Sequence, residues 1–337
     1  MSGSAAGPQK VIWDVTYACP LRCVHCYSES GRRSSRRLGR EGLLRVTDAI
    51  IELGPESVAL AGGEPLLVNG IFEVAARLRS AGVQVALFTG GWSLRAEMVG
   101  ELLRVCDTVV VSLDGATAEV HDRIRGRPGS FAAAMSALSM LDSAIESGAR
   151  AEMGVDGVVL RSNFDQLERY CTEIAPRFPR LSALEFGAVV PAGLASRTGF
   201  GEHELLSEEQ MSALGGAELP RRLQSLAPDS VQVSCTDNLE LRMGPDAPDE
   251  LPVVQVEPDG AVRAMPVYEG TVGTLLSEPG DVLWQRALQR RRDPFVVEVL
   301  SGVRTVQQWA EAARTLDRHF GSEQVRARID RRPAFAP

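Results

Sequence analysis

Short apolar runs alternate with longer amphipathic stretches over roughly the first 200 residues of the chain. Six runs have the β-branched, continuously apolar character of buried strands: 11–18, 57–63, 84–90, 108–114, 151–160 and 183–190. Apolar positions at helical spacing predict helices between them, at 70–82, 93–106, 130–148 and 163–175. In the third helix, Ser130 is a candidate N-cap and Gly148 a candidate terminator.

This alternation of strands and helices predicts an α/β fold with a parallel sheet covered by helices. The pattern fits an open doubly wound sheet and a barrel equally well. Both architectures place a functional site at the carboxyl ends of the strands.

The alternation ends near residue 200. Helical patterns follow at 201–210, where Ser207 is a candidate cap, and at 218–227. Strand patterns cover 231–243 and 251–270, with a turn at 258–260, and an arginine-rich helical tail covers roughly 281–331. We expect a disordered N-terminus (1–8), a main domain (9–200) and a smaller extension (201–337), with a soft boundary between 200 and 230.

Composition and charge restrict the classes of function. The 337 residues contain 44% hydrophobic side chains, no apolar run of about 18 residues, and no signal-peptide pattern at 1–9. We therefore expect a cytoplasmic protein without a membrane span. The net charge of −8 argues against a nucleic-acid partner. The arginines within 31–41 belong either to a solvated loop or to a contact with an anionic substrate or redox partner.

Three of the six cysteines, Cys19, Cys23 and Cys26, lie within eight residues directly after the first predicted strand. Structural zinc and an ordinary four-iron cluster each require four ligands. His25 is the only nearby fourth candidate, and its neighbour Cys26 would strain a shared tetrahedron. Three thiolates on a four-iron cluster leave one iron open to a substrate or cofactor, while a zinc knuckle remains the alternative.

The spacing C-x3-C-x2-C resembles the motif of the radical S-adenosylmethionine (radical SAM) superfamily. Further motifs follow in the family's order, each at the end of a predicted strand. AGGEP (61–65) resembles the GGEP motif, TGG (89–91) stands where relatives often carry TNG, and SLDG (112–115) with HDRIRG (121–126) resembles the SLDG…HDxxR segment of peptide-modifying members. The resemblance covers about residues 9–200 and implies a partial (β/α)6 TIM-like barrel.

The resemblance also implies cofactors and residue roles. Cys19, Cys23 and Cys26 would hold one [4Fe-4S] cluster whose open iron chelates S-adenosylmethionine (SAM). The cluster would cleave SAM to methionine and a 5′-deoxyadenosyl radical. The implied cofactor-binding residues are His25, Gly62, Gly63, Glu64, Thr89, Gly90, Ser112, Asp114 and Arg125.

Individual roles follow from the same resemblance. Glu64 would accept a hydrogen bond from the SAM ammonium group, and Ser112 and Arg125 would hold its carboxylate. The alternative for Arg125 is a surface ion pair with Asp122 or Glu119. His121 is interpreted as structural.

Residues 254–285 resemble the core of the SPASM or twitch extension, which carries auxiliary clusters in many relatives. Met265 and Pro266 stand where relatives place a cysteine, and Cys235 is the only cysteine after residue 200. We therefore expect a SPASM/twitch-like α+β extension without an auxiliary cluster, which favours redox-neutral chemistry. Cys235 is a candidate hydrogen-atom donor or, alternatively, a small buried hydrophobic residue. Cys106 and Cys171 are interpreted as core residues.

The sequence thus predicts a radical SAM enzyme that abstracts a hydrogen atom from a ribosomally made peptide, for epimerisation or for a crosslink. A flavodoxin- or ferredoxin-type protein would supply the electron. One alternative is tailoring of a sugar or aminocyclitol antibiotic intermediate. A remote alternative, a non-catalytic iron–sulfur or zinc-binding regulator, leaves Glu64, Ser112 and Arg125 without a role.

Overall fold

The computed structural model describes residues 7–34, 38–244 and 252–336. Most of the predicted disordered N-terminus (1–6), part of the arginine-rich run (35–37) and the first residue of the predicted strand at 251–270 lie outside the described residues. Within those described ranges, no helix combines the length and the apolar character that crossing a membrane would require.

Among the residues that the structure describes, ten strands form a single sheet, and the first six follow the predicted runs closely. They are β1 (Lys10–Thr16), β2 (Ser57–Gly62), β3 (Gln84–Thr89), β4 (Thr108–Ser112), β5 (Glu152–Val159), β6 (Leu181–Ala188), β7 (Gln232–Thr236), β8 (Val253–Val256), β9 (Ala261–Arg263) and β10 (Thr271–Thr274). Their order in the sheet is β10-β9-β8-β1-β2-β3-β4-β5-β6-β7. The strands β1 to β6 are parallel, as predicted, and strands from the C-terminal region extend both edges.

Helices connect the parallel strands and complete the C-terminal region. They are α1 (Arg40–Leu53), α2 (Ile71–Ser80), α3 (Ala96–Val105), α4 (Ala118–Arg125), α5 (Ser130–Glu146), α6 (Leu167–Arg169), α7 (Phe200–His203), α8 (Glu208–Gly215), α9 (Glu218–Leu226), α10 (Gly280–Arg291), α11 (Pro294–Ser301), α12 (Val306–Phe320) and α13 (Glu323–Asp330). The predicted helical tail therefore consists of four helices.

Two predicted elements are interrupted. The segment 163–175 is a succession of 3₁₀, α and π turns rather than one helix, and Pro176 lies just beyond it, where a regular helix could not continue. The strand predicted over 231–243 ends at Thr236. Asn238 then adopts a left-handed φ of 56°, and a 3₁₀ turn follows.

The start of α5 differs from the prediction. Gly129 occupies the N-cap position, and the Ser130 hydroxyl instead donates a hydrogen bond to the Asp122 carboxylate at 2.8 Å. Asp122 also accepts hydrogen bonds from the backbone N–H groups of Gly129 and Phe131. The prediction that Ser130 is the N-cap was therefore wrong, because a carboxylate from α4 binds the free N–H groups. Ser207 does cap α8, in a capping box with Gln210.

The strand register determines which side chains face the interior of the partial barrel. Phe186 in β6 packs edge-on against Tyr170, with ring centroids 5.1 Å apart, and so faces the segment that follows β5. Because side chains alternate along a strand, the neighbouring Gly187 faces the opposite side. Gly187 lines a cavity of about 380 Å³, together with Ala59, Ala61 and Asp156. Small side chains on this face leave room inside the barrel.

We expect opposite effects from placing alanine at two glycines. In Gly63→Ala, the new Cβ would lie 2.2 Å from the carbonyl oxygen of Ala18, which also accepts a hydrogen bond from the Glu64 N–H. This clash should lower the free energy of unfolding by about 1–3 kcal/mol. Gly100→Ala in α3 meets no atom within 4 Å and should raise it by roughly 0.5–1 kcal/mol. Urea unfolding measures both values, and equal destabilisation would contradict the described turn.

Candidate functional site

The three clustered cysteines lie in the loop that follows β1, and all three line the barrel cavity. Burial raises the pKa of Cys19 to about 12 and that of Cys23 to about 11. The guanidinium of Arg125 partly offsets the effect on Cys23, since its Nη1 lies 3.8 Å from the Cys23 sulfur. The Ser30 N–H donates a hydrogen bond to the Cys26 sulfur at 3.3 Å. The loop thus presents three sulfur atoms to one cavity.

The Gly62-Gly63-Glu64 turn after β2 packs directly against this loop. The Gly63 N–H donates to the Thr16 carbonyl at 2.6 Å, and Gly62 has a φ of 107°, which glycine adopts without strain. This close approach brings Glu64 next to the start of the cysteine loop, where its N–H donates a hydrogen bond to the Ala18 carbonyl at 2.9 Å. Glu64 is buried, and its carboxylate accepts hydrogen bonds from the Thr89 hydroxyl at 2.9 Å and from the Gly90 N–H at 3.2 Å.

Glu64 therefore joins the ends of β2 and β3. Burial raises the pKa of this carboxyl to about 7, although the hydrogen bonds from Thr89, Leu66 and Gly90 act in the opposite direction. Within the described residues, no cation forms an ion pair with Glu64. The group is consequently able to accept a cationic hydrogen-bond donor from a ligand in the cavity.

Asp114, at the end of β4, is fully buried and connects the cysteine loop to the sheet. Its carboxylate accepts hydrogen bonds from Arg125 Nη2 and His25 Nε2, both at 2.8 Å, and from the Val158 N–H at 3.0 Å. Burial alone would raise the pKa of Asp114, but the charges of Arg125 and His25 hold it well below its usual range. Arg125 is thus in a buried ion pair, not in a surface pair with Asp122 or Glu119.

The remaining predicted residues occupy distinct places. Ser112 lines the cavity beside Arg125 and Asp156. His121 is buried, and its Nδ1 accepts a hydrogen bond from the Asp114 N–H at 3.0 Å, which fits the structural interpretation. The predicted cofactor-binding residues are therefore brought together around one cavity, with Asp114 behind Arg125 and His25.

Cys235 is the exception among the predicted site residues. In β7 it pairs in register with Phe186, so both side chains face the same side of the sheet. This is the side of Tyr170, away from the cavity, and Cys235 is not among the cavity-lining residues. The structure does not bring Cys235 to the site, and a hydrogen-donor role is not favoured by this geometry.

Sequence reasoning missed several polar residues that line the cavity or support its lining. Asp14 is fully buried and accepts hydrogen bonds from the Tyr27 hydroxyl at 2.7 Å and from Gln255 Nε2 at 2.6 Å, which ties β1, the cysteine loop and β8 together. Gln255, Asp156 in β5 and Lys10 in β1 line the cavity, whereas Asp14 lies behind its lining. The sequence signal for Asp14 and Gln255 was a polar residue within an otherwise apolar strand, as in WDV and VVQV.

Comparison with known proteins agrees with this geometry. Residues 13–161 match the family model described as the radical SAM superfamily. Over these residues, 149 of the 337, the chain is similar to this superfamily. The predicted partial-barrel fold of radical SAM proteins is confirmed by the match and by the similarity to solved structures described next.

Three similar proteins illustrate the range of the match. The mycofactocin maturase MftC of Mycolicibacterium smegmatis is 35% identical over 172 residues, which are 51% of this chain and 42% of that protein. An AdoMet-dependent heme synthase of Methanosarcina barkeri is 36% identical over 140 residues, 41% of this chain and 40% of that protein. The structure of Streptococcus suis SuiB bound to precursor peptide SuiA has a TM-score of 0.63 at 13% identity, covering 90% of this chain and 71% of SuiB. The match spans less than half the length of these two curated relatives.

The match of residues 13–161 to the radical SAM family model implies a four-iron cluster and SAM, and the loop fits these groups. Within residues 7–34, 38–244 and 252–336, no three His, Cys, Asp or Glu side chains are arranged to hold a single metal ion. An iron–sulfur cluster takes one thiolate at each of several irons. The three sulfurs facing one cavity, with Glu64 and Ser112 beside them, suit a cluster with a bound amino acid group.

We expect SAM binding to depend on Glu64 and on pH. Because the pKa of Glu64 is raised to about 7, the carboxyl group is protonated below that pH and ionised above it. An ammonium group binds better to the ionised form, so the affinity of the reconstituted protein for SAM should rise as the pH increases through about 7. Glu64→Gln should bind more weakly and without this dependence.

Equilibrium binding of SAM at a series of pH values measures this effect. Glu73→Gln, a change at an exposed ion pair of α2, is the matched control and should keep the wild-type profile. A wild-type affinity that does not change across this range would contradict the role of Glu64.

Asp114→Asn should destabilise the protein strongly. The substitution leaves the Arg125 guanidinium buried without its carboxylate partner, which should lower the free energy of unfolding by about 3–5 kcal/mol. The exposed pair of Glu101 and Arg104 in α3 provides the control, since Glu101→Gln should change stability little. Chemical denaturation compares the two variants, and similar stabilities would show that the buried pair is not required.

Proposed function

We propose that the protein is a radical SAM enzyme that cleaves SAM reductively and abstracts a hydrogen atom from a bound substrate. The observation that carries this proposal is the convergence of three cysteine sulfurs and the Glu64 carboxylate on one cavity at the carboxyl ends of parallel strands. When bound at the three thiolates, the cluster supplies the electron that cleaves SAM to methionine and a 5′-deoxyadenosyl radical.

The residues of the chain bind and orient the cofactor. Glu64 accepts hydrogen bonds from the ammonium group of SAM, while Thr89 and Gly90 fix the orientation of the Glu64 carboxylate. Ser112 and Arg125 are proposed to hold the carboxylate of SAM. Arg125 is already oriented by Asp114, so this contact requires no rearrangement of a long flexible side chain.

The cavity excludes competing reactions. Ile12, Phe88, Val158 and other apolar side chains line it beside the sulfurs. Such surroundings keep water and other hydrogen donors away from a reactive carbon radical. The radical then takes the hydrogen atom that lies closest, so substrate orientation in the cavity selects the product.

The substrate class that we propose is a ribosomally made peptide, with a redox-neutral change such as epimerisation, or a crosslink, as the outcome. Two similarities support it: the relative named as a maturase and the fold shared with SuiB, which was solved with a precursor peptide. We propose one cluster per chain, because Met265 stands where an auxiliary cluster would take a thiolate, and a thioether is a poor substitute. A flavodoxin- or ferredoxin-type electron donor completes the proposal.

Anaerobic reconstitution tests the chemistry directly. With dithionite and SAM, the wild-type protein should release 5′-deoxyadenosine, and Cys23→Ala should abolish the release because one iron loses its ligand. Cys235→Ala, at a cysteine outside the cavity, should retain it. Absence of 5′-deoxyadenosine from an iron-loaded wild-type protein would instead support a non-catalytic iron–sulfur protein.

Iron analysis of the same sample tests the number of clusters. One cluster corresponds to about four irons per chain, and about eight would reveal an auxiliary cluster. Incubation with candidate precursor peptides, and separately with sugar or aminocyclitol intermediates, then identifies the substrate class by enhanced 5′-deoxyadenosine formation. Stimulation by the sugars alone would replace the peptide proposal.

A further inference from the structure

Glu29, three residues after the last clustered cysteine, has an unusual backbone conformation. Its φ is +53°, in the left-handed region that residues with a side chain seldom occupy. The residue is nevertheless buried, with a side chain only 5% exposed. A strained backbone of this kind persists only when surrounding contacts hold it in place.

These contacts come from the far end of the chain. The Glu29 carboxylate accepts hydrogen bonds from Arg328 Nε at 2.9 Å, in α13, and from Arg332 Nη2 at 2.6 Å, directly after α13. The Arg332 side chain is 4% exposed, so its pairing with Glu29 is shielded from water. Arg328 also pairs with Glu269 of the extension.

A second connection joins Arg332 to the cysteine loop. Arg332 Nη1 donates a hydrogen bond to the Ser196 hydroxyl at 3.2 Å. The 3₁₀ turn that contains Ser196 also contains Leu194, whose N–H donates to the Cys26 carbonyl at 3.1 Å. The same arginine thus contacts both segments that hold Cys26.

The conformation of Glu29 determines where the next N–H points. The Ser30 N–H donates to the Cys26 sulfur at 3.3 Å, and the Glu29 N–H lies 3.4 Å from the Cys26 carbonyl oxygen. A more extended backbone at Glu29 would redirect the peptide group that carries the Ser30 N–H. The hydrogen bond to sulfur therefore depends on the left-handed turn.

We propose that α13 and Arg332 form a C-terminal clasp that holds Glu29 in its left-handed conformation and so keeps the Ser30 N–H directed at the Cys26 sulfur. This inference rests on the proposed function, in which Cys26 ligates the cluster. Arg328 and Arg332 are positioning residues that act through Glu29. A hydrogen bond to a ligating sulfur stabilises the more negative, reduced cluster, so the clasp raises the reduction potential.

Two substitutions at Glu29 distinguish the effect of the left-handed turn from the effect of the ion pairs. Glu29→Ala removes the carboxylate and leaves a residue that avoids positive φ, whereas Glu29→Gly removes the carboxylate but adopts positive φ freely. We expect Glu29→Ala to lower the midpoint potential and to speed iron release to a chelator by roughly tenfold. This factor corresponds to the free-energy penalty of keeping an alanine in the left-handed conformation. Glu29→Gly should remain close to the wild type in both measurements.

A third variant tests the C-terminal side. Arg332→Gln should lower the midpoint potential in the same direction as Glu29→Ala, while Arg331→Gln, at an exposed neighbouring arginine, should leave it unchanged. Arg332→Gln retains Glu29 and Arg328 and so remains informative if Glu29→Ala fails to fold. The potentials are measured by redox titration of the reconstituted cluster, followed by electron paramagnetic resonance.

The outcomes distinguish this inference from the proposed function. Equal shifts in Glu29→Ala and Glu29→Gly, or unchanged potentials in Glu29→Ala and Arg332→Gln, would overturn the clasp while leaving a wild-type protein that binds a cluster and releases 5′-deoxyadenosine. A wild-type protein that binds no cluster would overturn both.

Discussion

The architecture of the site depends on a buried carboxylate, that of Asp114. Transferring a carboxylate and a guanidinium out of water costs several kcal/mol for each ion. This cost is offset only when the two ions lie in close contact and form further hydrogen bonds. Here the ion pair with Arg125 is supplemented by His25 and by the backbone of β5. Because these donors come from the cysteine loop, α4 and the sheet, Asp114 fixes His25 of the loop and Arg125 of α4 against the sheet.

A second set of buried charges connects the C-terminal region to the same loop. Arg263 in β9 is completely buried and pairs with Glu257 and Glu269, and Glu269 in turn pairs with Arg328. Gln255 in β8 reaches Asp14 in β1. Gln255 and Val267 line the cavity, so residues after position 200 form part of its wall, and β7 and β8 continue both edges of the parallel sheet.

Sequence patterns predicted the parallel strands well, because a strand buried on both faces must be continuously apolar and therefore stands out. The motifs at the strand ends likewise placed Glu64, Thr89 and Ser112 around one cavity, since parallel strands end on the same side of a sheet. Contacts between distant segments could not be predicted in this way. The capping of α5 by Asp122 and the pairing of Glu29 with Arg332 depend on tertiary neighbours, and no local pattern encodes them.

The irregular segment 163–175 after β5 was also not predictable from local patterns. Its apolar residues have helical spacing, but Pro176 and tertiary packing determine its backbone. The sequence also did not predict on which face of the sheet Cys235 lies, since the side chains of a strand can be assigned to either face until the strand register is known.

One residue of the cavity has a practical consequence. Lys10 is the only lysine among the 337 residues, and it lines the cavity that contains the cysteines. Apart from the amino terminus, an acylating reagent finds a single primary amine in this protein. Because Lys10 is exposed at the start of β1, a spectroscopic probe could be attached at one defined position next to the cavity without modifying any cysteine.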